Sequence, residues 1–172
     1  MKLEIIIVSD NHSEKSGLAK VLEHHVDANY FFHCGDSNLE ADLDLMKPFT
    51  TVKGNTDLWH DYQNDEKIKL ATGEKIWVTH GHRFSVNSGT DKLLIKAKKM
   101  YRAPAVILYG HTHRVDVKMQ EGILIINPGS IAFPRDGIRR TYARLLVTPE
   151  CYDVQILDIK DHGLIKDFQF PR

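Results

Sequence analysis

The sequence predicts an α/β fold in which two packed sheets lie inside outer helices. Three observations carry this expectation. Short β-branched runs alternate with helix-patterned segments over the first two-thirds of the chain. Strand-like runs separated by turn residues fill the last third. No repeat, low-complexity tract or flexible linker divides the 172 residues, a length suited to a single domain, 1–172, with its own core.

Taken in order, residues 3–9 are a continuous β-branched run, the pattern of a buried strand. Ser13 is placed to cap a helix over residues 14–25, with Leu18, Val21 and Leu22 on one face. Residues 30–34 form a second short apolar strand, and residues 39–46 read as a helix ended by Pro48. A short strand follows at 50–53. Residues 65–70 and 75–79 flank Thr72-Gly73, which suits a hairpin turn. Residues 91–101 are rich in Lys, Leu and Ala and read as a helix, and 106–109 as a strand. Residues 115–119, 123–126, 142–147 and 152–159 then read as strands, with Asn127-Pro128-Gly129-Ser130 as a strong turn signal. The strands over 142–159 are the candidate edge for pairing with a second copy, and so for a homo-oligomer.

Composition narrows the class. Hydrophobic residues make up 42% and charged residues 27%, as in soluble globular proteins. Lys plus Arg equal Asp plus Glu at 23 each, so a partner bound chiefly through its phosphate backbone, such as long nucleic acid, is not expected. Cys34 and Cys151 belong to no C-x-x-C pair, and sparse unpaired cysteines suit a reducing compartment. The apolar run at 5–8 is too short for a signal-peptide core, and no stretch reaches the length of a membrane span. These features place the protein in the cytoplasm, away from membranes.

Ten histidines are present, and their placement matters more than their number. Five polar motifs each follow an apolar strand-like run: Asp10-Asn11-His12, Gly35-Asp36, Gly54-Asn55-Thr56-Asp57, His80-Gly81-His82 and Gly110-His111-Thr112-His113. Loops past the carboxyl ends of strands build ligand sites in open α/β sheets, so these motifs are expected at one edge of one sheet. Carboxylate, amide oxygen and imidazole without thiolate favour Mn, Fe, Zn, Ni or Co over Ca or Mg. Seven candidate ligands exceed what one ion needs and fit two. An extended His111-Thr112-His113 would put both imidazoles on one side, and Asp10 and His12 could share an ion in the same way.

In their order and spacing, these motifs resemble the calcineurin-like metallophosphoesterase superfamily, and more closely its small single-domain phosphodiesterase branch in bacteria and archaea. The resemblance runs from residue 9 to about 130 and includes the Asn127-Pro128-Gly129-Ser130 turn. It implies a four-layer α-β-β-α sandwich, two mixed sheets flanked by helices, around a binuclear metal site. Carried over, Asp10, His12, Asp36 and His113 would hold one ion, and Asp36, Asn55, His80 and His111 the other, with Asp36 as the bridge. Manganese is the first expectation, with nickel, zinc, iron or cobalt as alternatives. The implied reaction is hydrolysis of a small phosphodiester or phosphomonoester by a hydroxide shared between the metals, with no catalytic side chain beyond the ligands. One departure matters. Many members carry histidine where this chain has Thr56, and that histidine is proposed to protonate the leaving group.

Other residues carry weaker signals. Asp57 is either a turn residue or a partner that orients the Asn55 loop. His82 and Arg83 flank a ligand and are candidates for substrate contact. His33 is either a core histidine, the favoured reading, or a partner behind the ligands, and His24, His25, His60 and His162 read as ordinary surface or helix-end residues. Lys53, Arg114 and the basic run 92–99 read as solvated, and Cys34 as a small buried hydrophobe. The competing function is a catalytically weak scaffold or protein-binding subunit on the same fold. Competent residues at every ligand position argue against it, and the neutral charge argues against a nuclease. Loops 58–65 and 85–90 would set specificity.

Overall fold

The computed structural model describes residues 2–100, 102–137 and 139–172. The chain passes through β1 (Leu3–Val8), α1 (Ser16–His24), β2 (Tyr30–His33) and β3 (Phe49–Thr51). The hairpin β4 (Asp65–Lys69) and β5 (Lys75–Thr79) leads to α2 (Asp91–Lys98) and β6 (Val106–Leu108). Five strands close the chain: β7 (Val115–Gln120), β8 (Ile123–Pro128), β9 (Thr141–Val147), β10 (Cys151–Asp158) and β11 (Leu164–Pro171). They build a six-stranded sheet in the order β11-β10-β9-β1-β2-β3 and a five-stranded sheet in the order β4-β5-β6-β8-β7. Both are mixed. β1, β2 and β3 run parallel in the first, and β5, β6 and β8 in the second.

The period-two alternation of β-strands sorts the apolar residues into layers. In β1, Leu3, Ile5 and Ile7 face the core between the sheets, while Ile6 and Val8 face outward to Leu18 and Val21 of α1. The second sheet repeats the arrangement. Ile76, Val78, Val106, Leu108, Leu124 and Ile126 point inward. Trp77, Ile107, Ile123 and Ile125 meet Leu93, Leu94 and Ala97 of α2 on the outside. The result is four layers, helix–sheet–sheet–helix, as the motif resemblance implied.

Several local expectations are corrected. Residues 39–46 form bonded turns rather than a helix, with Met46 N–H donating to Leu43 O at 2.8 Å. Leu39 and Met46 are buried against the outer face of the first sheet. Asp42 and Asp44 compete for nearby backbone donors and Pro48 blocks continuation, so the segment turns rather than winds. α1 begins later than expected, because Ser13 takes a left-handed conformation (φ 71°) and Glu14 takes over the capping. The Glu14 carboxylate accepts the N–H groups of Ser16 and Gly17, each at 2.9 Å. α2 ends at Lys98, and Tyr101, the far end expected for it, lies outside the described residues. β11 was not expected at all. Finally, β9 and β10 are interior strands, so 142–159 offers no free edge.

Candidate metal centre

The five motifs do converge, but from both sheets rather than from one edge of one sheet. Asp10, Asp36 and Asn55 follow β1, β2 and β3, whereas His80 and His111 follow β5 and β6 of the opposite sheet. His80 Nε2 stands 3.3 Å from Asp36 Oδ2, which places the contact across the sandwich. The turns are not extended either. Asp10, His12, Asp36, His111 and His113 all have positive φ, between 45° and 70°. Left-handed backbone at non-glycine residues costs energy and persists where the surroundings enforce it. Two glycines allow the close approach. A methyl group on Gly54 would stand 2.0 Å from Asp36 Oδ1, and one on Gly110 would stand 2.0 Å from Ser9 Oγ.

The atoms that face one another are almost all acceptors. Asp10 Oδ2 is satisfied by the Ser9 hydroxyl and by His111 N–H at 3.1 Å, while its buried Oδ1 has no hydrogen-bond partner. His113 Nδ1 donates to Phe133 O at 2.7 Å, so in the neutral ring Nε2 presents a lone pair, 3.1 Å from that oxygen. His12 Nε2 lies 3.2 Å from the same nitrogen. On the other side, His80 Nδ1 donates to Cys34 O at 2.7 Å, which turns the Nε2 lone pair toward Asp36 Oδ2 and toward Asn55 Oδ1 at 3.1 Å. His111 Nδ1 meets the same Asn55 oxygen at 2.8 Å. Ligand atoms of Asp10, His12 and His113 lie within 4.8 Å of one another, and so do those of Asp10, Asp36 and His80.

Lone pairs at such distances repel unless positive charge lies between them. Without a metal, protons supply that charge at His80 and His113, whereas burial and the neighbouring His80 lower the pKa of His111. Burial disfavours the imidazolium of His80, but the hydrogen bond to Asp36 and the charges of Asp10 and Asp36 outweigh it and raise its pKa. His113 is raised in the same way by Asp10. Burial opposes ionisation of Asp36, but His80 and the Thr56 N–H hold it well below the usual carboxylate range. An oxygen- and imidazole-donor set that demands cations fits divalent metal ions.

Around this cluster sit residues that hold the loops. Asp57 is fully buried and accepts N–H groups from Asp36 and Gly54 at 2.8 Å and from Asn38 at 2.7 Å, so it braces the turns that carry Asp36 and Asn55. Thr56 points outward. Its N–H reaches Asp36 Oδ1 at 2.8 Å, and its hydroxyl reaches Asn38 Oδ1 at 3.2 Å. His82 lies 5.3 Å ring to ring from His80, and its buried Nδ1 has no hydrogen-bond partner. Arg83 is exposed beside it on the same short 3-10 turn, His82–Phe84.

Sequence reading missed several bracing residues. His33 stands between its two readings, core packing and a role behind the ligands. It is buried, but its Nε2 donates to Asn11 Oδ1 at 2.9 Å and its Nδ1 accepts the Gly35 N–H, joining the first two loops. Ser130 donates to Asp10 O at 2.8 Å, and Asn127 donates to Gly110 O at 2.9 Å. The turn flagged at 127–130 therefore supports the first and last motifs. Asn87 lies 3.2 Å from His111 Nε2, and Phe133, 57% exposed, sets its ring edge-on to His12. No pattern in the sequence pairs these residues with their partners.

Comparison with known proteins places this arrangement. YsnB of Bacillus subtilis, named as a probable metallophosphoesterase, is 34% identical over 149 residues, covering 86% of this chain and 85% of that protein. A phosphodiesterase of Methanocaldococcus jannaschii is 28% identical over 158 residues, 79% of this chain and 89% of its own. A conserved Streptococcus pneumoniae protein, described as a predicted phosphoesterase, has a crystal structure that superposes with a TM-score of 0.93 at 34% identity, over 100% of this chain and 99% of that one. Residues 3–150 match the calcineurin-like phosphoesterase superfamily domain, and the chain belongs to that superfamily.

Proposed function

We propose that this chain is a metal-dependent phosphodiesterase that hydrolyses small phosphodiesters at a binuclear centre. The supporting observation is the buried, unpartnered Asp10 Oδ1 facing the imidazole nitrogens of His113 and His12. Asp10, His12, Asp36 and His113 would hold one ion and Asp36, Asn55, His80 and His111 the other, with Asp36 between them. Manganese is the first candidate. When bound, such ions supply Lewis acidity, attracting phosphate oxygens and making a nearby water more acidic. The whole chain, 1–172, acts as one cytoplasmic domain in this reading.

The chain's own contribution is positioning. The Cys34 and Phe133 carbonyls fix the tautomers of His80 and His113, so that each turns Nε2 inward. His80 and the Thr56 N–H keep the Asp36 carboxylate ionised, and Asp57 braces its backbone. His82, beside His80 and His111, and the exposed Arg83 would be the substrate contacts. Thr56 carries no group able to donate a proton to a leaving oxygen near pH 7, so acidic leaving groups are favoured.

The test is hydrolysis of bis(p-nitrophenyl) phosphate, p-nitrophenyl phosphate and an alkyl p-nitrophenyl diester, with and without Mn²⁺. We expect Mn²⁺-dependent cleavage, diester above monoester, falling at least about 100-fold in Asp36→Asn. Absence of cleavage with Mn²⁺, Ni²⁺, Co²⁺ and Zn²⁺ would turn the reading to a binding scaffold.

A further inference from the structure

A second group of imidazoles lies apart from the Asp10–Asp36 cluster. His24 and His25 close α1, and His162 sits in the turn between β10 and β11. One ring nitrogen of each falls within 4.8 Å of those of the other two. Together with Glu4, Arg144 and Gln155 they line an open cavity of about 460 Å³.

The rings are held in a particular orientation. His25 is buried, with Nδ1 3.0 Å from Glu4 Oε1 and Nε2 2.9 Å from the Tyr142 hydroxyl. Arg144 Nε also donates to Glu4 Oε1, at 2.8 Å, and keeps that group a carboxylate. His25 Nδ1 is therefore the donor, and Nε2 carries the lone pair. A carboxylate behind the far nitrogen is the arrangement that orients metal-binding histidines. The Tyr142 hydroxyl also lies 2.8 Å from His162 Nδ1, and has one proton to offer two nitrogens. An anion fits the cavity poorly, because Arg144 is engaged through Nε by Glu4 and through Nη1 by Gln155.

We propose that His24, His25 and His162 form a mononuclear site for a transition-metal ion that prefers nitrogen ligands, such as Zn²⁺, Ni²⁺ or Cu²⁺. Nitrogens bound to one tetrahedral ion stand about 3.4 Å apart, within the 4.8 Å that bounds the three here. His24 is exposed and stacks on His162 with ring centroids 3.9 Å apart, so it must rotate out of the stack to close the site. Water completes the shell. The ion then ties the end of α1 to the β10–β11 turn.

Equilibrium dialysis against Zn²⁺, followed by elemental analysis, compares the wild type with His24→Gln/His162→Gln. The variant is expected to hold one ion fewer per chain while hydrolysing bis(p-nitrophenyl) phosphate at the wild-type rate with Mn²⁺. Equal ion counts overturn the proposal. Should the double variant fail to fold, His24→Gln alone serves, since that ring is exposed. At least a tenfold loss of Zn²⁺ affinity at one site is then expected, and an unchanged isotherm overturns the site.

Discussion

Asp57 has no exposed surface, and its carboxylate takes the backbone N–H groups of Asp36, Gly54 and Asn38. In Asp57→Ala these donors lose their acceptor, at roughly 1–3 kcal/mol for each group left buried and unsatisfied. Denaturant titration should show a loss of several kcal/mol, and Mn²⁺ affinity should fall about 10–100-fold as Asp36 and Asn55 lose their support. Unchanged affinity in a folded variant would mean that Asp57 serves the fold alone. His33 makes a different prediction. Burial draws its pKa from 6.5 to about 4. The unfolded chain therefore takes up this proton first, and the stability His33 contributes is complete above about pH 6.5 and is lost as pH falls toward 4. The loss approaches about 3 kcal/mol at 1.36 kcal/mol per pH unit. Urea midpoints measured across that range should slope less in His33→Gln than in the wild type. The sequence offers each role only as one of two readings, since an aspartate in a turn and a histidine in a strand look ordinary. Each acts through partners distant along the chain.

α1 shows how a local rule finds the right element and the wrong residue. Ser13 satisfied the sequence pattern for a cap, yet its N–H donates to Ser37 O at 2.8 Å and its backbone is left-handed, because the loop after β1 must first carry Asp10 and His12 inward. Glu14 then supplies the capping oxygens. Glu14→Ala should cost about 0.5–2 kcal/mol in thermal unfolding. Ser13→Ala should cost clearly less, and the reverse order would restore the simpler cap. β11 escaped notice for a related reason. Its apolar residues Ile165, Phe168 and Phe170 pack on the inner core, but Ile165 is out of step with the other two. The register shift opposite Ile156 and Leu157 absorbs the extra residue, and a bulge of this kind hides strand alternation from a period-two reading.

The two sheets meet at the candidate metal centre as well as in the apolar core. Ligand candidates from β1, β2 and β3 face those from β5 and β6, so ions bound there would clip one sheet to the other. A ligand at a hundred times its Kd adds about 2.7 kcal/mol, roughly 5–10 °C in Tm for a chain of this size. Mn²⁺ should raise Tm by that order in the wild type and much less in Asp36→Asn. The gain should also be larger at pH 8 than at pH 6. The raised pKa values of His80 and His113 mean that protons occupy those nitrogens at lower pH and must leave before an ion can bind. A gain independent of pH would show that these two histidines are not displaced by the ion.

The α/β class, most strands, the two helices and the identity of the clustered residues were legible in the sequence. Each leaves a short-range trace: a β-branched run, a helical stripe, a ligand-type side chain just past a strand. Tertiary structure decided the rest. That the cluster spans two sheets, that its turns are left-handed, that β9 and β10 lie inside a sheet, and that His33, Asn127 and Ser130 brace the loops all depend on strand order and on contacts between distant segments. The physical reason is that periodicity reports which face of an element is apolar. It does not report which other element covers that face, or which carbonyl waits across the gap for a buried donor.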